Sequence, residues 1–129
     1  MIKFAHQPLN KSLIRSFTNS LIKMKYCLTL DLIDDPALIK AYEEHHRHVW
    51  PEILASIKHS GITNMEIYRF ETRLFMIMET DESFSFECKA AMDASNPKVQ
   101  EWETLMLKYQ QPFKNSSEKW VLMDKIFQL

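Results

Sequence analysis

Only Glu71-Thr72 separates two strand-like runs, Ile62–Phe70 and Arg73–Thr80. Two residues leave room for nothing but a tight hairpin, so this part of the chain is committed to an antiparallel pair. The second run is apolar on both faces through Leu74–Met78, as an interior strand is. Upstream, Lys25–Leu32 alternates Tyr26, Leu28, Leu30 and Leu32 with more polar neighbours, the period of a strand with one buried face. Asp35-Pro36 then supplies an N-cap and a first helical residue for a helix running through Leu38, Ile39 and Tyr42 towards His46. Pro51 cannot donate in mid-helix, so a break is predicted near His48–Trp50, with a second helix from Pro51 to Ser60. Gly61, the only glycine, sits where a left-handed cap would end it.

Beyond the hairpin, Ser83–Met92 reads as a helix. Asn96-Pro97 opens another, with Val99, Trp102, Leu105, Met106 and Tyr109 on one face. The polar connection Gln111–Lys119 could act as a lid, and Lys119–Leu129 reads as a closing strand. The predicted order is β-α-β-β-α-β with each helix broken in two. That is an α+β, ferredoxin-like arrangement: a four-stranded antiparallel sheet with helices on one face. Strands this apolar cannot leave the other face wet, so a homodimer paired through the sheets, a dimeric α/β barrel, is expected.

At 129 residues the chain fits one domain with a substantial core. A formal net charge of -1 with mixed signs argues against a nucleic-acid surface. Cys27 and Cys88 lie far apart without CxxC spacing, which argues against a disulfide framework or structural zinc and makes a reducing cytoplasm the expected compartment. No apolar run approaches the roughly 18–20 residues that span a bilayer. All 17 acidic residues lie from Met24 onward, whereas residues 1–23 hold Lys3, Lys11, Arg15 and Lys23 and no acid. An organelle presequence has that character. The simpler expectation is an over-extended start or loose tail over 1–23, with a single domain over 24–129.

The run Tyr42-Glu43-Glu44-His45-His46-Arg47-His48-Val49-Trp50-Pro51 gathers the candidate chemistry. Tyr42 and His46 are one helical turn apart, so a phenol and an imidazole can reach two oxygens of one ligand. Imidazole also suits both giving and taking a proton near neutrality. The bland alternative is a solvated charged helix. A metal reading rests on His45/His48 and Glu44/His48 spacings, but HExxH and a downstream Cys/His cluster are absent, so no metal is expected. Trp102 is either core or the edge of a cavity, where its indole could stack on a sugar's C–H face. A single glycine excludes a phosphate loop, a nucleophile elbow and a dinucleotide fingerprint, which leaves a cofactor-free site.

Taken together, Tyr42-x3-His46-x3-Trp50-Pro51-Glu52, Lys58-His59-Ser60-Gly61, Ile67-Tyr68, the Arg73–Glu79 strand and Gln100-x-Trp102 resemble the L-rhamnose mutarotase family across nearly all of Met24–Leu129. The resemblance implies a dimeric ferredoxin-like fold and cofactor-free interconversion of the α and β anomers of a 6-deoxy-L-sugar. It implies His46 as acid/base, Tyr42 as a ligand-binding phenol and Trp102 as a wall of the sugar pocket; Trp50, which projects beside Tyr42 and His46, is expected to bind substrate as well. Two positions depart from the rhamnose-type pattern: Met65 replaces a tyrosine, and Glu103 replaces the second tryptophan of a Trp-Trp pair. Both belong to sugar binding, and a carboxylate is a strong acceptor for paired hydroxyls. The expected substrate is therefore L-fucose slightly ahead of L-rhamnose. The alternative is a non-catalytic dimeric αβ-barrel module for small-ligand binding or stress response.

Overall fold

The computed structural model describes residues 23–129. The expected N-terminal extension lies outside the described residues, apart from Lys23. β1 (Met24–Leu32) leads to α1 (Pro36–Arg47) and α2 (Pro51–His59). The hairpin of β2 (Ile62–Phe70) and β3 (Arg73–Thr80) follows, then α3 (Phe86–Ala94), α4 (Pro97–Leu107), β4 (Gln110–Gln111) and β5 (Val121–Leu122). The sheet runs β2-β3-β1-β4, and β5 also pairs with β1. Every pairing is antiparallel. This is the ferredoxin-like order expected from the sequence.

The proline–cap pairs act as predicted. The Asp35 carboxylate accepts from the backbone N–H of Ala37 and Leu38 ahead of α1, and Asn96 does the same for Lys98 and Val99 ahead of α4. Pro51 starts α2 directly after the break at His48–Trp50. Helix α3 begins at Phe86 rather than near Ser83. Ser83 is held in a turn by Asp81 Oδ1, which accepts from both its N–H and its Oγ–H, and the cap passes to Ser85.

The fourth strand differs most from expectation. It is two short pieces that share one edge of β1: Leu32 faces Gln110, and Leu28 faces Leu122. After Gln111 the chain leaves the sheet, and it returns only at Val121. The expected strand to Leu129 stops at Leu122, one residue before a last backbone bond from Met123 N–H to the Cys27 carbonyl. Carried further, the register would set residue 127 against residue 23, past the start of β1.

Leu28, Leu30, Leu32, Leu74, Met76 and Met78 are buried on the helix side of the sheet. Leu32 and Leu74 pack with Tyr42, Ile53, Val99, Trp102 and Met106 from the helices, while Leu28, Met76 and Met78 form a second cluster with Ile62. Each such side chain contributes roughly 1.5–3 kcal/mol. A register shift between Ile62 and Asn64 resets the phase of β2. Met65 and Ile67 therefore stand opposite the buried Met78 and Met76, while Glu66, Tyr68 and Phe70 fall on the other face.

Gly61 has φ +100°, and a Cβ there would lie 2.7 Å from Ser83 Oγ, 2.8 Å from Asp81 Oδ1 and 3.0 Å from the Phe84 nitrogen. Gly61→Ala is expected to cost about 1–3 kcal/mol in urea unfolding. An unchanged midpoint would mean that the 81–84 turn gives way at no cost.

Candidate active site

Helix α1 holds Tyr42 and His46 one turn apart, and their rings lie 4.4 Å apart, centroid to centroid. His46 Nδ1 is 2.9 Å from the Tyr42 carbonyl. A carbonyl can only accept, so the proton of the neutral imidazole sits on Nδ1 and Nε2 keeps its lone pair. Burial lowers the His46 pKa below its ordinary 6.5. The Tyr42 carbonyl pushes it up by a lesser amount, and neighbouring His45 adds a small depression. Burial also raises the Tyr42 phenol, opposed by the Gln110 side chain. At neutral pH the pair is therefore a neutral imidazole with a free nitrogen beside a protonated phenol.

Both side chains line a cavity of about 710 Å³ between the helices and the sheet, and so do Met65, Trp102 and Glu103. Five of the six residues singled out from the sequence are thus brought together. Trp102 is nearly buried, and its ring stands edge-on to His46 at 5.8 Å. Glu103 lies 3.8 Å from Lys119 Nζ, so the carboxylate reaches the cavity wall beside a cation. Trp50 is the exception. It does not line the cavity but meets Trp102 edge-on from behind at 5.1 Å, with Lys98 Nζ over its own ring.

The two other histidines of the run point elsewhere. His45 Nε2 is 3.1 Å from the Tyr109 hydroxyl, and exposed His48 is 3.5 Å from Glu44. Among the described residues no group of three His, Cys, Asp or Glu side chains is placed to hold a metal ion. Sequence reasoning missed Gln110 and the Lys89–Asp93 pair, which also line the cavity. The 2.8 Å bond from Lys89 to Asp93 follows from their i,i+4 spacing, a signal present in the sequence. Gln110 carries no such local signal, because only its pairing with Leu32 brings it under the helices.

The sequence model of the L-rhamnose mutarotase family matches residues 25–129. An L-fucose mutarotase of Xanthomonas campestris pv. campestris is 44% identical over 109 residues, covering 81% of this chain and 87% of the relative. The chain belongs to the L-rhamnose mutarotase family. It is an isomerase of the carbohydrate mutarotase class. Among solved structures, an L-rhamnose mutarotase from Formosa agariphila superposes with a TM-score of 0.63 at 19% identity, covering 82% of this chain and 98% of that one. Tetracenomycin F2 cyclase from Streptomyces glaucescens, a type-II polyketide cyclase, superposes at 0.53 with 18% identity, covering 82% and 96%. Both likenesses show the fold.

In this mutarotase-family site, nitrogen-15 NMR of the His46 ring is expected to show a protonated Nδ1, a bare Nε2 and a midpoint below 6.5. An unfolded imidazole takes its proton near 6.5 and the folded one at lower pH, so acidification through that window favours the unfolded chain. Stability contributed by neutral His46 is intact above about 6.5 and is lost as pH falls through the depressed value. A midpoint at or above 6.5 would contradict this placement.

Proposed function

We propose that this mutarotase interconverts the α and β anomers of a 6-deoxy-L-hexose, with L-fucose ahead of L-rhamnose. The observation that carries the reading is His46 Nε2, left free by the Nδ1 bond to the Tyr42 carbonyl inside a cavity that also holds Tyr42 and Trp102. Nε2 takes the proton of the anomeric hydroxyl. The O–H electrons form the aldehyde C=O while the C1–O5 bond breaks onto the ring oxygen. The imidazolium then returns the proton to O5. Both oxygens sit on C1, so one nitrogen serves both. Rotation about C1–C2 and the reverse sequence close the ring on its other face. The Tyr42 phenol, kept protonated by burial, donates a hydrogen bond to the sugar. Trp102 forms a wall for its C–H face, and Trp50 braces Trp102 from behind.

Glu103 and Met65 are proposed to set the sugar, the carboxylate accepting from paired hydroxyls. The 44% identity to an L-fucose mutarotase supports that order of preference. A homodimer through the sheet is part of the same proposal. Tyr68 and Phe70 are 54% and 75% exposed on the face away from the helices, beside half-buried Phe75 and Ile77, and a second copy would cover them. Two free cysteines suit the proposed cytoplasmic location. Among the described residues no helix is long and apolar enough to cross a membrane.

Saturation-transfer or exchange NMR on both anomers of L-fucose and L-rhamnose tests the activity. Added protein should speed exchange, and His46→Ala should lose on the order of 10²–10⁴ of that acceleration while still folding. His45→Ala should keep it. Equal loss from both would point to a metal or another proton donor. No acceleration for any 6-deoxy sugar would leave the non-catalytic binding module as the better reading. The double change Glu103→Trp with Met65→Tyr should shift preference towards L-rhamnose. An unchanged sugar ratio would remove these two positions from specificity.

A further inference from the structure

Gln110 is 6% exposed, and its side chain lines the cavity. It stands opposite Leu32 in the β1–β4 pairing, and paired residues in an antiparallel ladder project to the same face. That face is the one under the helices. Its Nε2 is 3.5 Å from the Tyr42 hydroxyl, and its Oε1 is buried with no hydrogen-bond partner. Rotating the amide by half a turn, which its broad terminal torsion allows, exchanges the two ends. Tyr42 would then donate to Oε1 and the NH2 group would be left over. Either way the protein supplies one end of this amide with a partner and leaves the other without one. A buried polar group without a partner is costly and is retained where something else satisfies it.

We infer that Gln110 reads one hydroxyl of the bound sugar, its Oε1 accepting from that hydroxyl while its Nε2 donates to the Tyr42 oxygen and leaves the phenol proton for the sugar. The inference rests on the mutarotase reading of this cavity. It adds a specificity-determining side chain from the fourth strand to Glu103 on α4 and Met65 on β2. A site built around an amide that needs a hydroxyl rejects a sugar lacking it, because the amide is then left unpaired again.

The test pairs wild type with Gln110→Met, an apolar side chain of similar length. Replacing an unsatisfied buried amide by an apolar group should leave the melting temperature of the free protein equal or higher. Binding of L-fucose, followed by saturation-transfer NMR, should weaken about tenfold. A series of L-fucose analogues each lacking one hydroxyl, at C2, C3 or C4, identifies the group that is read. One analogue should bind wild type about tenfold more weakly than L-fucose does, yet bind Gln110→Met as well as L-fucose does. If Gln110→Met binds and turns over L-fucose as wild type does, the amide's second partner is water and the inference is overturned. A lower melting temperature with unchanged sugar affinity would make Gln110 a purely structural residue and overturns it equally. The mutarotase reading fails on a different result, a wild-type protein that binds the sugar without speeding anomer exchange.

Discussion

The hydrogen bond from His46 Nδ1 to the Tyr42 carbonyl decides what the cavity can do. It reaches back one turn along α1 and selects the tautomer whose Nε2 can take a proton. Its geometry depends on α1 remaining a regular helix up to Arg47, and that rests on the Asp35 cap at one end and the break before Pro51 at the other. The same turn is anchored by Tyr42, buried among Leu32, Leu74 and Trp102. Packing and chemistry therefore share a residue. Burial, with a small contribution from His45, outweighs the bond to the carbonyl, so the imidazole stays neutral near neutrality.

Much of this was legible in the chain because it is written locally. A two-residue connection bounds β2 and β3, proline after a capping residue starts α1 and α4, and Gly61 marks the end of α2. The Tyr42–His46 spacing needs only the helical period. What was not legible depends on distant pairing. The closing strand looks continuous from Lys119 to Leu129 by its apolar content, yet β1 offers only part of an edge, which β4 and β5 divide. Gln110 resembles any polar residue after a helix until Leu32 is seen opposite it. Trp50 shares the run of His46, but the break at His48 swings it behind Trp102 and out of the cavity.

The two faces of the sheet have separate tasks. The cavity lies wholly on the helix side, and Tyr68, Phe70, Phe75 and Ile77 of the opposite face take no part in its lining. Covering those aromatics with a second copy would remove apolar surface from water without narrowing the cavity. It would also stiffen β1 and β3 from behind. The site's floor, Leu28, Met76 and Met78, is carried by those two strands.

That floor bears on why the proposed substrate is a 6-deoxy sugar. Met65, Ile67, Met76 and Met78 give one end of the cavity a lining of flexible apolar side chains. A methyl group at C5 gains about 0.8 kcal/mol by burial against such a surface. A hexose with a hydroxymethyl group would place a hydroxyl there instead, and a buried hydroxyl without a partner costs roughly 1–3 kcal/mol. Both sugars carry the C6 carbon, so the hydroxyl's cost sets the difference, about one to two orders of magnitude of preference. Mutarotation is not slow in water, so acid–base help of the size proposed for His46 would suffice. On the proposed reading, Glu103 and Met65 would tell one 6-deoxy sugar from another, and Met76 and Met78 would tell the class from ordinary hexoses.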